Sequence, residues 1–227
     1  EFFGDIISLM NQIVGWVSKQ ENFLFKDLSI SFMQMLSFYF LIVSLIVCIK
    51  RPQYKNYIAV LVCILIAQGV FINQKFENLK DEFIIFHKNR YSLIGQKNGK
   101  NLTVHHNLDS ERFQNNRIIK DYEIGNFIES IQADSLNSVY EFNDIHFLVV
   151  DSFGIYALKS FKPEYILLRN SPKVNLNRII DSLKPKYIIA DGSNYKSYVK
   201  RWEMTCLIRT TKFHDTKADG AFILEKQ

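Results

Sequence analysis

The sequence predicts α-helical membrane segments followed by a soluble α/β domain, a mixed sheet with helices. Three observations carry that prediction. Phe32 to Ile49 is a run of 18 residues without a charge, and Tyr57 to Ile72 a run of 16. Past Ile72 the apolar residues come in short, strand-length runs split by turn formers. Beyond Phe161 such runs alternate with amphipathic helical stretches. A bilayer span takes about 20 mostly apolar residues, with a range of roughly 17–25. The first run qualifies alone, and the second does once Asn56 and Asn73 at its edges are admitted. Whole-chain averages conceal this. A mean hydropathy of −0.05 and 48% hydrophobic residues describe an ordinary globular protein, because a polar C-terminal region dilutes the spans.

The expected organisation is an amphipathic or interfacial helix within 1–31, two transmembrane helices within 32–72 joined by a loop at 50–56, and a soluble domain over 73–227. Phe3, Ile6, Ile7, Met10, Ile13, Val14 and Val17 fall on one helical stripe, with Asp5, Ser8, Asn11, Gln12 and Lys19 off it. Trp16 near its end suits the membrane interface, and packing on other protein is equally compatible. Phe23, Leu24, Phe25 and Leu28 could re-enter the headgroup region. The connector between the spans carries Lys50, Arg51 and Lys55 and no acid. By the positive-inside rule these three set the topology: the connector is cytoplasmic, and both flanks lie across the membrane. The protein is therefore expected to be a multi-pass protein of the cytoplasmic (inner) membrane, with an extracytoplasmic or periplasmic soluble domain. A start at Glu1 with no Met or basic leader reads as the carboxyl part of a longer protein with further spans upstream.

Glu82–His87, Tyr91–Gln96 and Asn101–His105 read as a β-meander, with Lys88-Asn89-Arg90 and Lys97-Asn98-Gly99-Lys100 as its turns. Residues 111–137 are polar, with one helix expected around Ile118–Phe127. Ser138–Phe142 and Ile145–Val150 form a hairpin across Asn143-Asp144. Then follow a strand at Tyr165–Leu168 and a helix on Leu176, Ile179, Ile180 and Leu183 that stops at Pro185. After these come a strand at Tyr187–Ala190, a helix at Tyr195–Cys206, and closing strands at Thr211–His214 and Ala221–Leu224. Strands first and α/β units later fit helices covering a mixed sheet or a β-sandwich. Cys48 and Cys63 sit inside the spans, leaving Cys206 alone in the soluble part, so that domain has no internal disulfide; no C-x-x-C pair suggests structural zinc.

The stretch Leu183-Lys184-Pro185-Lys186-Tyr187-Ile188-Ile189-Ala190-Asp191-Gly192-Ser193-Asn194-Tyr195, followed by Ala218-Asp219-Gly220-Ala221-Phe222-Ile223, resembles the end of the metallo-β-lactamase-like domain of ComEC-type competence proteins. Ile13 through Ile72 resembles the last membrane segments of their competence domain. The resemblance implies a channel for uptake of single-stranded DNA in natural transformation. Its implied partners are single-stranded DNA, the lipid bilayer and other proteins of the competence machinery, and it admits a homo-oligomer.

The departures from that family bear on mechanism. An active member holds two metals with His-x-His-x-Asp-His, a bridging aspartate and His-His-Gly-Ser, and two-metal hydrolysis needs most of these ligands. This chain has no His-x-His-x-Asp-His. Asp151, after Phe147–Val150, stands as a relic of the bridging aspartate, and Leu168-Arg169-Asn170-Ser171-Pro172 occupies the His-His-Gly-Ser position without a histidine. The domain also looks short for a complete double sandwich. It therefore reads as a truncated, metal-free and non-enzymatic derivative with no cofactor and no catalytic residue. The competing reading is a membrane-tethered metal-dependent nuclease or hydrolase of the same fold. His105-His106-Asn107-Leu108-Asp109 is its best support, although neighbouring strand residues face opposite ways; His87, His146 and His214 are isolated.

The helix after Gly192 is the candidate contact for DNA. Ser193 or Asn194 would cap it, and a capped helix start beside lysines is an anion site. Lys196 and Lys200 share one face, Arg201 flanks them, and Tyr195, Tyr198, Val199 and Trp202 share another. The alternative is an amphipathic helix with its aromatics on the sheet and a solvated basic back. From Lys159 to Gln227 there are 14 Lys and Arg against 7 Asp and Glu; from Asn73 to Leu158 there are 9 against 12. A basic lobe attracts polyanions without sequence preference, and anionic headgroups equally.

Overall fold

The computed structural model describes residues 2–18, 29–156 and 162–226. Contacts divide the chain into two units, Glu1–Ala67 and Gln68–Gln227. The first holds helix α1 (Phe2–Ser18), helix α2 (Phe32–Lys50) and most of helix α3 (Tyr54–Glu77). The re-entrant Phe23–Leu28 stretch lies outside the described residues. Ser31 caps α2 in a reciprocal box: its hydroxyl accepts from the Gln34 N–H at 3.2 Å, and the Gln34 side chain accepts from the Ser31 N–H at 3.1 Å. Both α2 and α3 are long and apolar enough to cross a membrane. α3 buries none of its residues, and Phe40, Ile49 and Leu61 are 62%, 80% and 60% exposed. A helix that is apolar all round needs an apolar environment. The connector is tighter than the expected 50–56. Lys50 ends α2, Arg51 is its C-cap and Lys55 lies in the first turn of α3, leaving Arg51–Gln53 between the helices. α3 also runs past 72 to Glu77, through Lys75.

The second unit contains two five-stranded sheets. Strands β1 (Glu82–Lys88), β2 (Tyr91–Asn98), β3 (Asn101–His106), β4 (Ser130–Asp134) and β10 (Phe222–Glu225) form one, in the order β10-β1-β2-β3-β4. Strands β5 (Val139–Phe142), β6 (Ile145–Val150), β7 (Tyr165–Leu168), β8 (Tyr187–Ala190) and β9 (Lys212–Asp215) form the other, in the order β5-β6-β7-β8-β9. β5 and β6 are a hairpin whose turn residues Asn143 and Asp144 have φ of 49° and 61°, the left-handed pair that a two-residue turn requires. From β6 to β9 all pairs are parallel.

Side chains alternating along each strand feed three apolar layers. Phe83 and Ile85 of β1 meet Phe147 and Val149 of β6, Leu167 and Ile189 between the sheets. Ile84 and Phe86 face outward with Leu93, Leu102 and Val104, against Ile119 and Phe113. These last two come from helix α5 (Arg117–Asn126) and helix α4 (Ser110–Gln114). On the far side Leu148, Val150, Ile166, Leu168, Ile188 and Ala190 face helices α6 (Leu176–Leu183) and α7 (Lys196–Ile208). The domain is thus a β-sandwich with helices on both outer faces. Each sheet has five strands. α6 carries its stripe as read: Leu176, Ile179 and Leu183 are buried, Asn175 caps it, and Lys184 in the left-handed region closes it before Pro185. One buried ion pair spans β1 and β2. Lys97 Nζ lies 2.7 Å from Glu82 Oε1, and the Tyr122 hydroxyl donates to Glu82 Oε2 at 2.7 Å.

Candidate nucleic-acid interface at the strand ends

Parallel β6–β9 place their exit ends along one edge of the sheet, the position where α/β sheets bind ligands. Gathered there are Asp151 after β6, Arg169-Asn170-Ser171 after β7, Asp191-Gly192-Ser193-Asn194 after β8, and Thr216 and Lys217 after β9. The exit end of β1 joins them from the other sheet: the Arg90 N–H donates to the Gly192 carbonyl at 2.8 Å, and His87 Nδ1 lies 3.2 Å from Thr216 Oγ1.

Asp191 is the centre of this edge. It is 2% exposed. Its Oδ2 accepts from the Ser92 hydroxyl at 2.5 Å, and its Oδ1 from the Ser193 hydroxyl (2.5 Å), the Ser193 N–H (3.0 Å) and Asn194 Nδ2 (3.1 Å). Burial pushes the Asp191 pKa above the usual carboxylate range; the Ser193 and Ser92 hydrogen bonds and the charge of Arg169 pull it back in part. Gly192 is required by packing, since a Cβ there would stand 2.4 Å from the Lys88 carbonyl oxygen.

Ser193 and Asn194 do not cap α7, which corrects the sequence reading. The N-cap is Tyr195, without a side-chain cap hydrogen bond. The Ser193 hydroxyl instead accepts from the Asn170 N–H and the Asn194 Oδ1 from the Ser171 N–H, each at 2.7 Å. Asn194 Nδ2 also donates to the Leu168 carbonyl at 2.6 Å, and Ser171 Oγ takes the Tyr195 N–H at 2.7 Å. These polar atoms are committed to holding two loops together.

Lys196, Lys200 and Arg201 are all exposed but face different ground. Lys196 lines a recess of about 60 Å³ with Asn89, Asp215 and Lys217. Arg201 stands over the Tyr198 ring at 4.7 Å and borders an open groove of about 450 Å³ with Lys173, Asn175 and Asn177. Sequence reasoning missed Lys173 and Lys217; their only signal was position, each following a strand of the parallel set. Trp202 is 1% exposed and packs in the α6–α7 layer, while Tyr195, expected on the same packed face, is 73% exposed.

The Asp151 and Asp191 carboxylates of this edge are hydrogen-bonded to neighbouring groups of the domain. Asp151 Oδ1 accepts the Phe153 N–H of its own turn at 3.0 Å, and every oxygen of Asp191 is engaged. His105 and His106 part as the strand period requires. His105 lies against Tyr140 between the sheets with Nδ1 2.9 Å from the Ser135 carbonyl, whereas His106 stacks on Phe113 outside and is held below the usual imidazole range, chiefly by burial. Among the described residues no group of three or more His, Cys, Asp or Glu is placed to hold a metal ion.

Residues 83–226, which cover the whole sandwich, match the family model described as the ComEC C-terminal domain. No curated protein and no solved structure matches the chain. With that match spanning more than half of its length, the chain belongs to the ComEC C-terminal domain family.

Proposed function

We propose that this chain serves uptake of single-stranded DNA across the cytoplasmic membrane as part of a ComEC-type channel, with α2 and α3 as spans, an extracytoplasmic sandwich and other competence proteins as partners. Family membership ties it to competence, DNA uptake and a membrane. The sandwich works without catalysis, as a metallo-β-lactamase-like domain whose ligand positions have been given over to structure. The observation that carries this reading is the closed exit edge, where Asp191, Ser193 and Asn194 bind loop partners. DNA is met instead by exposed cations around that edge, Lys196, Lys200 and Arg201 with Lys217 and Lys173, through phosphate charge and without sequence preference.

The test uses the full chain in nanodiscs with single-stranded oligonucleotides. Affinity should fall with salt, each phosphate contact adding a log–log slope of about −0.7. Lys196→Ala, Lys200→Ala and Arg201→Ala together should flatten that slope by about two contacts with the fold intact. Salt-independent binding, or an unchanged slope in the triple variant, rejects the interface. Manganese- or zinc-dependent strand cleavage that is lost in Asp151→Ala would establish the nuclease reading instead.

A further inference from the structure

α7 buries Val199, Trp202 and Cys206 against the sheet. Its outward face changes character along its length. Lys196 and Lys200 occupy the first half, and Met204, Leu207 and Ile208 the second, at 56%, 73% and 76% exposure, with exposed Glu203 beside Met204 and one turn before Leu207. Three large apolar side chains at i, i+3 and i+4 are neighbours on a helix surface and form one continuous patch.

The topology fixes which end of the domain carries that patch. β1 and β8 share their exit ends through the Arg90–Gly192 hydrogen bond. Near its entry end β1 places Phe83 stacked at 4.2 Å on Phe147, the register partner of Tyr165, the first residue of β7. The entry ends of β1, β7 and β8 therefore coincide. α7 runs back from the exit end of β8 to the entry end of β9, so Leu207 and Ile208 arrive at the entry end. That is where the chain comes in from α3, whose last residue, Glu77, is separated from β1 only by residues 78–81. The same end presents exposed Lys184, Lys186 and Lys212. Four of its acids are engaged, Asp181 with Arg209, Asp81 with Lys226, Glu225 with Lys80, and Glu164 with the His146 N–H, while Asp144 in the β5–β6 turn is exposed.

We propose that Met204, Leu207 and Ile208, flanked by Lys184 and Lys212, rest in the anionic headgroup layer of the membrane from which α3 emerges. The occupant is argued from continuity and charge. A membrane-length helix joins the domain at this end, which would bring a bilayer surface within reach, and an apolar patch with Lys184, Lys186 and Lys212 at the same end suits an anionic interface, Glu203 being the acid on its α7 side. This inference rests on reading α2 and α3 as spans.

The experiment places benzoylphenylalanine at Leu207, at Leu61 of α3 or at Lys217, one site per full-length chain, in nanodiscs containing phosphatidylglycerol. After irradiation, lipid adducts are expected at 207 and 61 and none at 217. An adduct at 61 without one at 207 overturns this inference and leaves the spans standing. Absence at 61 overturns the span reading itself. A chain-to-chain adduct at 207 assigns the patch to a second copy and also overturns the inference. Lys184→Glu with Lys212→Glu, both at exposed positions, should reduce the yield at 207 and leave 61 unchanged; an unchanged yield at 207 removes the electrostatic basis of the docking.

Discussion

Replacing Trp202 by Ala separates a structural from a base-stacking role for α7. The indole is 1% exposed and lies among Leu148, Val150, Ile166, Leu168, Leu176 and Ile179, with the Tyr198 ring at 5.6 Å in an edge contact. Truncating a buried tryptophan to alanine costs about 3–5 kcal/mol in transfer and cavity terms. That is about a fifth or more of the roughly 5–15 kcal/mol that a domain has in total. In a unit of this size each kcal/mol moves Tm by about 2–4 °C, so a fall on the order of 10 °C is expected. Calorimetry or far-UV circular dichroism of the full chain in nanodiscs reads it, since tryptophan fluorescence is itself altered. Tyr195→Ala, about two turns away but 73% exposed, is the control and should stay within about 0.5 kcal/mol of the parent. Trp202→Phe should fall between the two. Nε1 has no hydrogen-bond partner among the described residues, so that change removes volume and not a polar contact. If Trp202→Ala instead melts with the parent while oligonucleotide binding loses about 1–3 kcal/mol, the indole stacks on bases and its place in the core is refuted.

Three further outcomes are expected. Gly192→Ala drives a Cβ to 2.4 Å from the Lys88 carbonyl oxygen, a backbone atom that cannot swing aside, and should cost about 1–3 kcal/mol in a melting experiment; a neutral result would mean that the β1–β2 turn is not docked on this loop. Asp191 has a folded pKa above its unfolded value, so its contribution to stability is full below the ordinary carboxylate range and is lost as pH rises through the folded value. Asp191→Asn should accordingly compare best with the parent at neutral pH, with the parent gaining on it as pH falls; a difference that widens towards neutral pH in the parent's favour contradicts the raised pKa. Neutralising Lys50, Arg51 and Lys55 should loosen the orientation of a reporter fused after Gln227, which in the parent is active only outside the cytosol; parent activity of a cytosol-only reporter would reverse the topology.

What was legible followed local chemistry. The uncharged runs gave α2 and α3, the period of Leu176, Ile179, Ile180 and Leu183 gave α6, and Asn143-Asp144 gave the β5–β6 turn. β4 was missed because Ser130–Asp134 is a mostly exposed edge strand with little apolar alternation to read, and α4 because five residues hold barely one turn. The cap assigned to Ser193 or Asn194 failed for a non-local reason. Both residue types favour caps, but Asn170 and Ser171, more than twenty residues earlier, present backbone N–H groups that their side chains satisfy instead. The division of the basic trio was likewise beyond the sequence, because it depends on which loops flank α7.

The closed edge also bears on how tightly this domain can hold a strand. A parallel sheet offers a cleft where its exit loops diverge. Here the Gly192 loop crosses to the β1–β2 turn and the Ser193–Asn194 pair ties down the loop after β7, so the divergence is filled by backbone hydrogen bonds. What remains there for a polyanion is charge on long, exposed side chains. Such contacts are screened by salt and remade at each phosphate, which gives weak and sequence-blind binding. On the proposed reading, in which a strand has to keep moving through a channel, such weakness would be functional: a deep base-binding site would hold each nucleotide, whereas scattered lysines would raise the local concentration of DNA and let it slide. A histidine substituted at Ser171 would keep the backbone N–H that Asn194 accepts but would remove the hydroxyl that takes the Tyr195 N–H, leaving the start of α7 without that partner, and the cost should appear as lost stability before any metal is gained.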